Sequence, residues 1–294
     1  MSDVLPDRNR RRWLQAGAAG LLSAPLHAVA APAAATPLRF GTTPVFLDDQ
    51  IALLGMWQNY LESRLQRPVS FVQRGSYREI VDLMLGDGVD LAWLCGYPFV
   101  LYAPRLALLA VPSYQGAPLY RSYLIVPEAD RSTVGVADLA GRIFAYSDPL
   151  SNSGYLVPRA ELLRTGRRVE GFFRRSFFTF GHRKVVEAVQ AGLADGGAVD
   201  GYVWDTLERQ QPQATTGVRV AWRSPTYGFP PLVARAWLPA DERAAITRAL
   251  LGMPGSRRGM QLLERLNIDG FMRAEPALFD GIRALVRAVD RPGA

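Results

Sequence analysis

The residues with the clearest chemical potential lie in one run, Ser147-Asp148-Pro149-Leu150-Ser151-Asn152-Ser153-Gly154, which follows a β-like stretch and opens a helical one. A helix start has backbone N–H groups without intrahelical acceptors and the positive end of the peptide dipoles. Ser151, Asn152 and Ser153 would add two hydroxyls and an amide there, enough to share a tetrahedral oxyanion without a metal or a lysine. The same residues suit plain helix capping, and spacing alone leaves the two readings level. His182 is the one histidine beyond the first thirty residues, so a multi-histidine metal site is excluded. Cys95, the single cysteine, sits after Leu91-Ala92-Trp93-Leu94, which suits a buried, inert thiol better than a nucleophile.

These residues need a scaffold, and the chain supplies one by alternating short β-like runs with helical patterns, the signature of α/β architecture. Strands are expected at 38–42, 69–73, 90–94 and 106–111, with helices at 48–65, 77–85 and 97–102. A second series has strands at 120–126, 142–146, 198–203 and 218–222 and helices at 154–163 and 184–194. The last third reads as helices at 241–251, 258–266 and 276–289, with no strand series left for them to cover. They are therefore expected to pack back onto the first lobe. Residues 38–119 and 225–294 would form lobe 1 and residues 120–224 lobe 2. The chain would cross between them near 120–126 and 220–224. Two crossings make a hinge, and the interlobe cleft is the natural ligand site.

Asp148-Pro149-x-Ser151-x-Ser153-Gly154-x-Leu156-x-Pro158 resembles a segment of the phosphonate-binding proteins of ABC importers, which have the type II periplasmic-binding-protein fold. Ser76-Tyr77, Val89-Asp90-Leu91-Ala92-Trp93, Gly181-His182, Gly192-Leu193-Ala194-Asp195 and Trp222-Arg223-Ser224-Pro225 resemble that family in the same order, over residues 38–268. The resemblance implies that Ser151, Asn152 and Ser153 hold phosphonate oxygens, with His182 and Tyr77 as further contacts and Tyr97 as a looser match. An imidazolium at His182 would make affinity fall as pH rises through the histidine pKa. Relatives holding an aminoalkyl-phosphonate carry acids for the ammonium; those positions align here with Tyr202 and Pro230. Asp205 is the acid that could take the first role, although it also reads as a helix N-cap before Thr206.

The function implied is capture of a small oxyanion, such as phosphonate, phosphite or phosphate, without cofactor or metal, by a monomer serving an ABC permease. Two alternatives share the fold: a ligand-sensing module for a membrane kinase, and a thiamin- or pyrimidine-related enzyme using Cys95 with His182. The resemblance favours a binder over an enzyme.

The net charge of +7 is spread along 294 residues with no basic stripe, and Lys184 is the only lysine, so nucleic acid is not an expected partner. Residues 1–30 order a basic stretch, an apolar stretch and small residues, as an export signal does. Asn9-Arg10-Arg11-Arg12-Trp13-Leu14 resembles a twin-arginine signal, which implies the twin-arginine export machinery as a partner and the periplasm as destination. Residues 31–37 read as a disordered lead-in.

Overall fold

A computed structural model describes residues 36–43 and 51–290; the expected signal, most of the lead-in and the start of the helix at 48–65 lie outside the described residues. Lobe 1 begins with Leu38–Thr42 (β1), Ile51–Leu65 (α1), Val69–Gln73 (β2), Tyr77–Leu85 (α2), Leu91–Trp93 (β3), Gly96–Leu101 (α3) and Leu106–Ser113 (β4). β1 lies between β2 and β3, parallel to both. Helices cover such strands on both faces, so β1 is buried at every position but Arg39, with Phe40 packed edge-on against Trp57 of α1 at 5.0 Å. α2 is amphipathic: Tyr77, Ile80, Val81 and Met84 are buried at helical spacing. Ser76 accepts from Glu79 N and donates to the Glu79 carboxylate, so Tyr77 is held in the first helical turn.

The chain leaves through Leu119–Tyr120 (β5) into Ser122–Pro127 (β6), Ile143–Tyr146 (β7), Val157–Arg164 (α4), Arg175–Phe178 (β8), His182–Gln190 (α5), Gly196–Asp200 (β9), Gly201–Gln210 (α6) and Val218–Arg223 (β10). Their sheet has the order β10-β6-β9-β7-β8. It returns through Tyr227–Gly228 (β11) to Leu232–Arg235 (β12), Ala240–Leu251 (α7), Arg257–Leu266 (α8), Gly270–Met272 (β13) and Asp280–Val289 (α9). The first sheet thereby becomes β13-β4-β12-β3-β1-β2.

Several expectations need correcting. Residues 122–127 and 218–223 are paired strands inside lobe 2, and the crossing is the small antiparallel ladder of β5 with β11, Tyr120 opposite Tyr227. The last third also holds strands. β12 enters the middle of the first sheet between β3 and β4; Leu232, Val233 and Ala234 are all buried, so the run shows no alternation. β13 has three residues, too few for a period to register. The strand expected at 198–203 stops at Asp200, whose side chain caps α6 by accepting from Tyr202 N. Finally, α9 does not pack on lobe 1 alone: it touches α3 of that lobe and α4 of lobe 2.

Candidate functional site

The site residues lie where strands give out. Thr42 ends β1 and Thr43 follows it, Leu94 and Cys95 follow β3, Ser147–Ser153 follow β7 and Asp200 ends β9. Ligands in open α/β sheets collect at such carboxyl ends, because the helices that follow point their N-termini there. Between the lobes is a small cavity of about 20 Å³, lined from lobe 1 by Thr42, Thr43, Tyr77, Trp93, Leu94 and Cys95. Phe229 and Pro230 add the floor, while Asp200 and Tyr202 line it from lobe 2. None of these residues is basic.

Ser151, Asn152 and Ser153 are buried and are not among its lining residues; Asn152 meets the lining at Cys95. Residues 152–156 form a widened π turn, in which Leu156 N donates to Ser151 O at 3.0 Å, before α4 proper starts. Ser151 Oγ accepts from Gly154 N at 2.9 Å, which is the capping role. Its hydroxyl proton remains available to a second partner. Asn152 N donates to Cys95 Sγ at 3.2 Å and its Nδ2 to Tyr120 Oη at 2.9 Å. Asn152 Oδ1, Ser153 Oγ and Thr42 Oγ1 are buried without any hydrogen-bond partner. Each such atom costs free energy that a ligand could recover. Ser147 Oγ is also unpaired and packs against Gly154, where a Cβ would lie 1.8 Å from it, so Gly154 is what lets this turn close.

Asp148 carries more than the sequence showed. Its buried carboxylate accepts from Leu150 N at 2.7 Å and, across the lobes, from Tyr77 N at 3.0 Å. The second bond satisfies an unpartnered N–H in the first turn of α2 and ties the helix-start loop to lobe 1. Burial raises the Asp148 pKa.

His182, at the start of α5, accepts from Asp200 N through Nδ1 at 3.1 Å. A backbone N–H on Nδ1 leaves the proton of the neutral ring on Nε2, which then donates to Tyr77 Oη at 3.2 Å. Tyr77 can in turn donate its own proton towards the cavity. Complete burial pushes the His182 pKa down to about 3, so the imidazolium expected to grip an anion is absent at neutral pH. With both ring nitrogens occupied, His182 is no base for Cys95. Burial pushes that thiol up to about 11, which speaks against the enzyme alternative.

Two candidates fall elsewhere. Tyr97 is half-buried on α3 and lies within electrostatic reach of Asp290, Tyr155 and Arg159 rather than lining the cavity. Gly96 packs so closely on α9 (a Cβ there would lie 2.5 Å from Ile282) that the start of α3 is pinned against that helix. Asp205 is not the cap of α6; Asp200 is. Five residues of α-helix turn Asp205 about 140° away from Asp200, and it accepts from Tyr114 Oη at 2.9 Å and Tyr123 Oη at 3.2 Å outside the cavity. Tyr202 lines the cavity with its ring, 4.8 Å from that of Phe229, while its hydroxyl donates to Leu266 O. Sequence reasoning missed Thr42 and Asp200. The available signal was position: each ends a parallel strand, and an acid before a helix start is a capping pattern.

Two sheets joined by a double crossing, with polar residues converging at the strand ends, define a two-lobed chain of the type II periplasmic-binding-protein fold. Residues 40–279 match the family described as ABC transporter, phosphonate, periplasmic substrate-binding protein, and the chain belongs to it. This is a family of transport receptors, not of enzymes. The chain is 28% identical over 176 residues to the phosphate-import protein PhnD of Mycolicibacterium smegmatis, a match covering 56% of this chain and 55% of that one, so it spans about half that relative's length. Its fold superposes with a TM-score of 0.78 on PhnD1 from Prochlorococcus marinus in complex with methylphosphonate, at 21% identity over 86% of this chain and 98% of that one. A binding-protein component of an ABC phosphonate transporter from Pseudomonas aeruginosa gives the same TM-score at 22% identity, covering 85% of each chain.

Proposed function

We propose that the protein captures a small tetrahedral oxyanion, a phosphonate, phosphite or phosphate, in its interlobe cleft and delivers it to an ABC permease in the periplasm. The observation that carries this reading is the pair of buried, unpartnered hydroxyls, Ser153 Oγ and Thr42 Oγ1, both able to donate, beside a helix start and a cavity without a cation. Ser151, Asn152 and Ser153 hold the oxyanion through hydroxyl, amide and backbone N–H groups. Tyr77 donates a further hydrogen bond, oriented by neutral His182. Neutral donors in a dry site bind an anion strongly because none needs to reorganise.

The apolar wall narrows the choice. Tyr202 and Pro230, at the positions where amine-binding relatives carry acids, line the cavity with Trp93 and Phe229. A phosphorus substituent that is small, or absent, suits this wall better than an aminoalkyl chain. Export by the twin-arginine route completes the proposal, resting on Arg10 and Arg11.

A thermal-shift screen of oxyanions on the purified protein tests the reading. A true ligand at a hundred times its Kd should add about 2.7 kcal/mol of stability. A panel of phosphite, methylphosphonate, phosphate and sulfate that leaves the melting temperature unmoved would refute it.

A further inference from the structure

Asp200 has no role in the binding scheme above, yet it lines the cavity and is only 2% exposed. Its Oδ1 accepts from Tyr202 N at 2.9 Å, and no basic residue lines the cavity with it. The groups around it come from several elements: Tyr77 from α2, Cys95 after β3, Tyr120 from β5, His182 from α5 and Tyr202 from α6, with Asp205 further along α6 within electrostatic reach and Asp148, after β7, acting on the same Tyr77 and Cys95. His182 is neutral, the tyrosines and Cys95 hold their protons, and the other two acids add only like charge. An ionised Asp200 beside a bound oxyanion would thus place two negative charges in one dry pocket with no counter-ion.

Resting on the oxyanion reading, we propose that Asp200 is a specificity-determining residue that binds in its protonated form, donating through Oδ2 to a ligand oxygen while Oδ1 stays on the Tyr202 N–H. The proton stays on Asp200 throughout, and no bond to phosphorus changes. Burial already pushes the Asp200 pKa up to about 8, with the Tyr202 and Val203 N–H groups opposing. A bound anion raises it further, so capture above that pH takes up one proton. The cavity then offers a full set of donors at neutral pH and a repelling charge in alkali.

Calorimetry with phosphite, whose own second proton is already lost across the range, tests this between about pH 7.5 and 9.5. Wild-type affinity should fall by about tenfold per pH unit above the acid's pKa. Proton uptake should appear as an enthalpy that depends on the buffer's ionisation heat. Asp200→Asn keeps both the cap and a neutral donor, so it should bind less than about tenfold more weakly at pH 7.5 and lose the alkaline decline. A variant with the wild-type slope, or a wild type without proton uptake, would overturn the proposal. So would a variant more than about a hundredfold weaker at pH 7.5, which would mean an ionised Asp200 accepting a ligand hydroxyl. Selective loss of an amine-bearing phosphonate in the variant would overturn it too, because Asp200 would then be an ammonium partner. A wild type that binds neither phosphite nor any phosphonate would remove the oxyanion reading itself, a result distinct from all of these.

Discussion

The two strips where the lobes meet are built to opposite rules. Along one, a face of α6 is fully paired with lobe 1: Tyr202 Oη donates to Leu266 O, Asn267 Nδ2 to Thr206 Oγ1 at 2.9 Å, Arg209 Nη1 to Asn267 Oδ1 at 2.6 Å and Gln210 Nε2 to Arg265 O at 2.9 Å. Tyr114 Oη adds a bond to Asp205. Along the other strip, Tyr77, Cys95, Asp148, Asn152 and His182 also bridge the lobes, but Asn152 Oδ1, Ser153 Oγ and Thr42 Oγ1 stay unpaired. A paired strip holds the lobes together by itself; an unpaired one is stable only when something completes it. The contrast supports the proposed ligand site on the second strip and gives the first the role of a latch in that proposal.

The largest expected effect that tests this contrast is on the unpaired strip. Ser153→Ala should weaken oxyanion binding about ten- to a hundredfold, the worth of one charge-assisted hydrogen bond of roughly 1.5–3 kcal/mol. The unliganded melting temperature should hardly move, since no protein bond is lost. Ser151→Ala sharpens the comparison, because this hydroxyl already caps the helix. It should lose affinity and also about 1 kcal/mol of stability; a melting temperature equal to that of Ser153→Ala would erase the distinction.

On the latch, Asn267→Ala removes two interlobe bonds without approaching the cavity. Exposed bonds of this kind are each worth about 0.5–1.5 kcal/mol, so affinity should drop several-fold through faster ligand release. Small-angle scattering of the unliganded variant should give a larger radius of gyration than wild type. Unchanged release and scattering would make the strip ordinary surface.

The smallest effect on affinity concerns His182. After correction for ligand ionisation, affinity should be flat between about pH 6 and 7.5, because the ring is neutral throughout. Its titration appears in stability instead. The folded pKa is depressed to about 3 against an ordinary value of 6.5, so the unfolded chain binds the extra proton between those limits. Stability is fully present above about pH 6.5 and falls by up to ~1.4 kcal/mol per pH unit as pH drops towards the folded value. His182→Asn should lack that acid limb in a melting series; an unchanged limb would assign the loss to other groups.

How far these features were legible in the sequence depended on their range. The helix start at Ser151–Ser153 was readable because strand, turn and cap lie within a dozen residues. The two-lobed α/β plan followed from the alternation of strand and helix periods, and the family from a motif order that is local at every step. β12 and β13 escaped, since burial on both faces and a length of three residues erase periodicity. Asp205 and Asp200 were interchanged as helix cap because the strand–helix boundary was set a few residues late.

By itself, then, the sequence placed Ser151, Asn152 and Ser153 at a helix start, and with them the donors on which the oxyanion proposal rests. Only the tertiary structure decided which atoms remained unpaired. Asp148 meets Tyr77 across 71 residues and His182 meets Tyr77 across 105. The His182 tautomer depends on the Asp200 backbone, and the ring is kept neutral by complete burial between that backbone and Tyr77. Protonation and hydrogen-bond vacancy are set by all neighbours at once, and those neighbours exist only after the chain has folded.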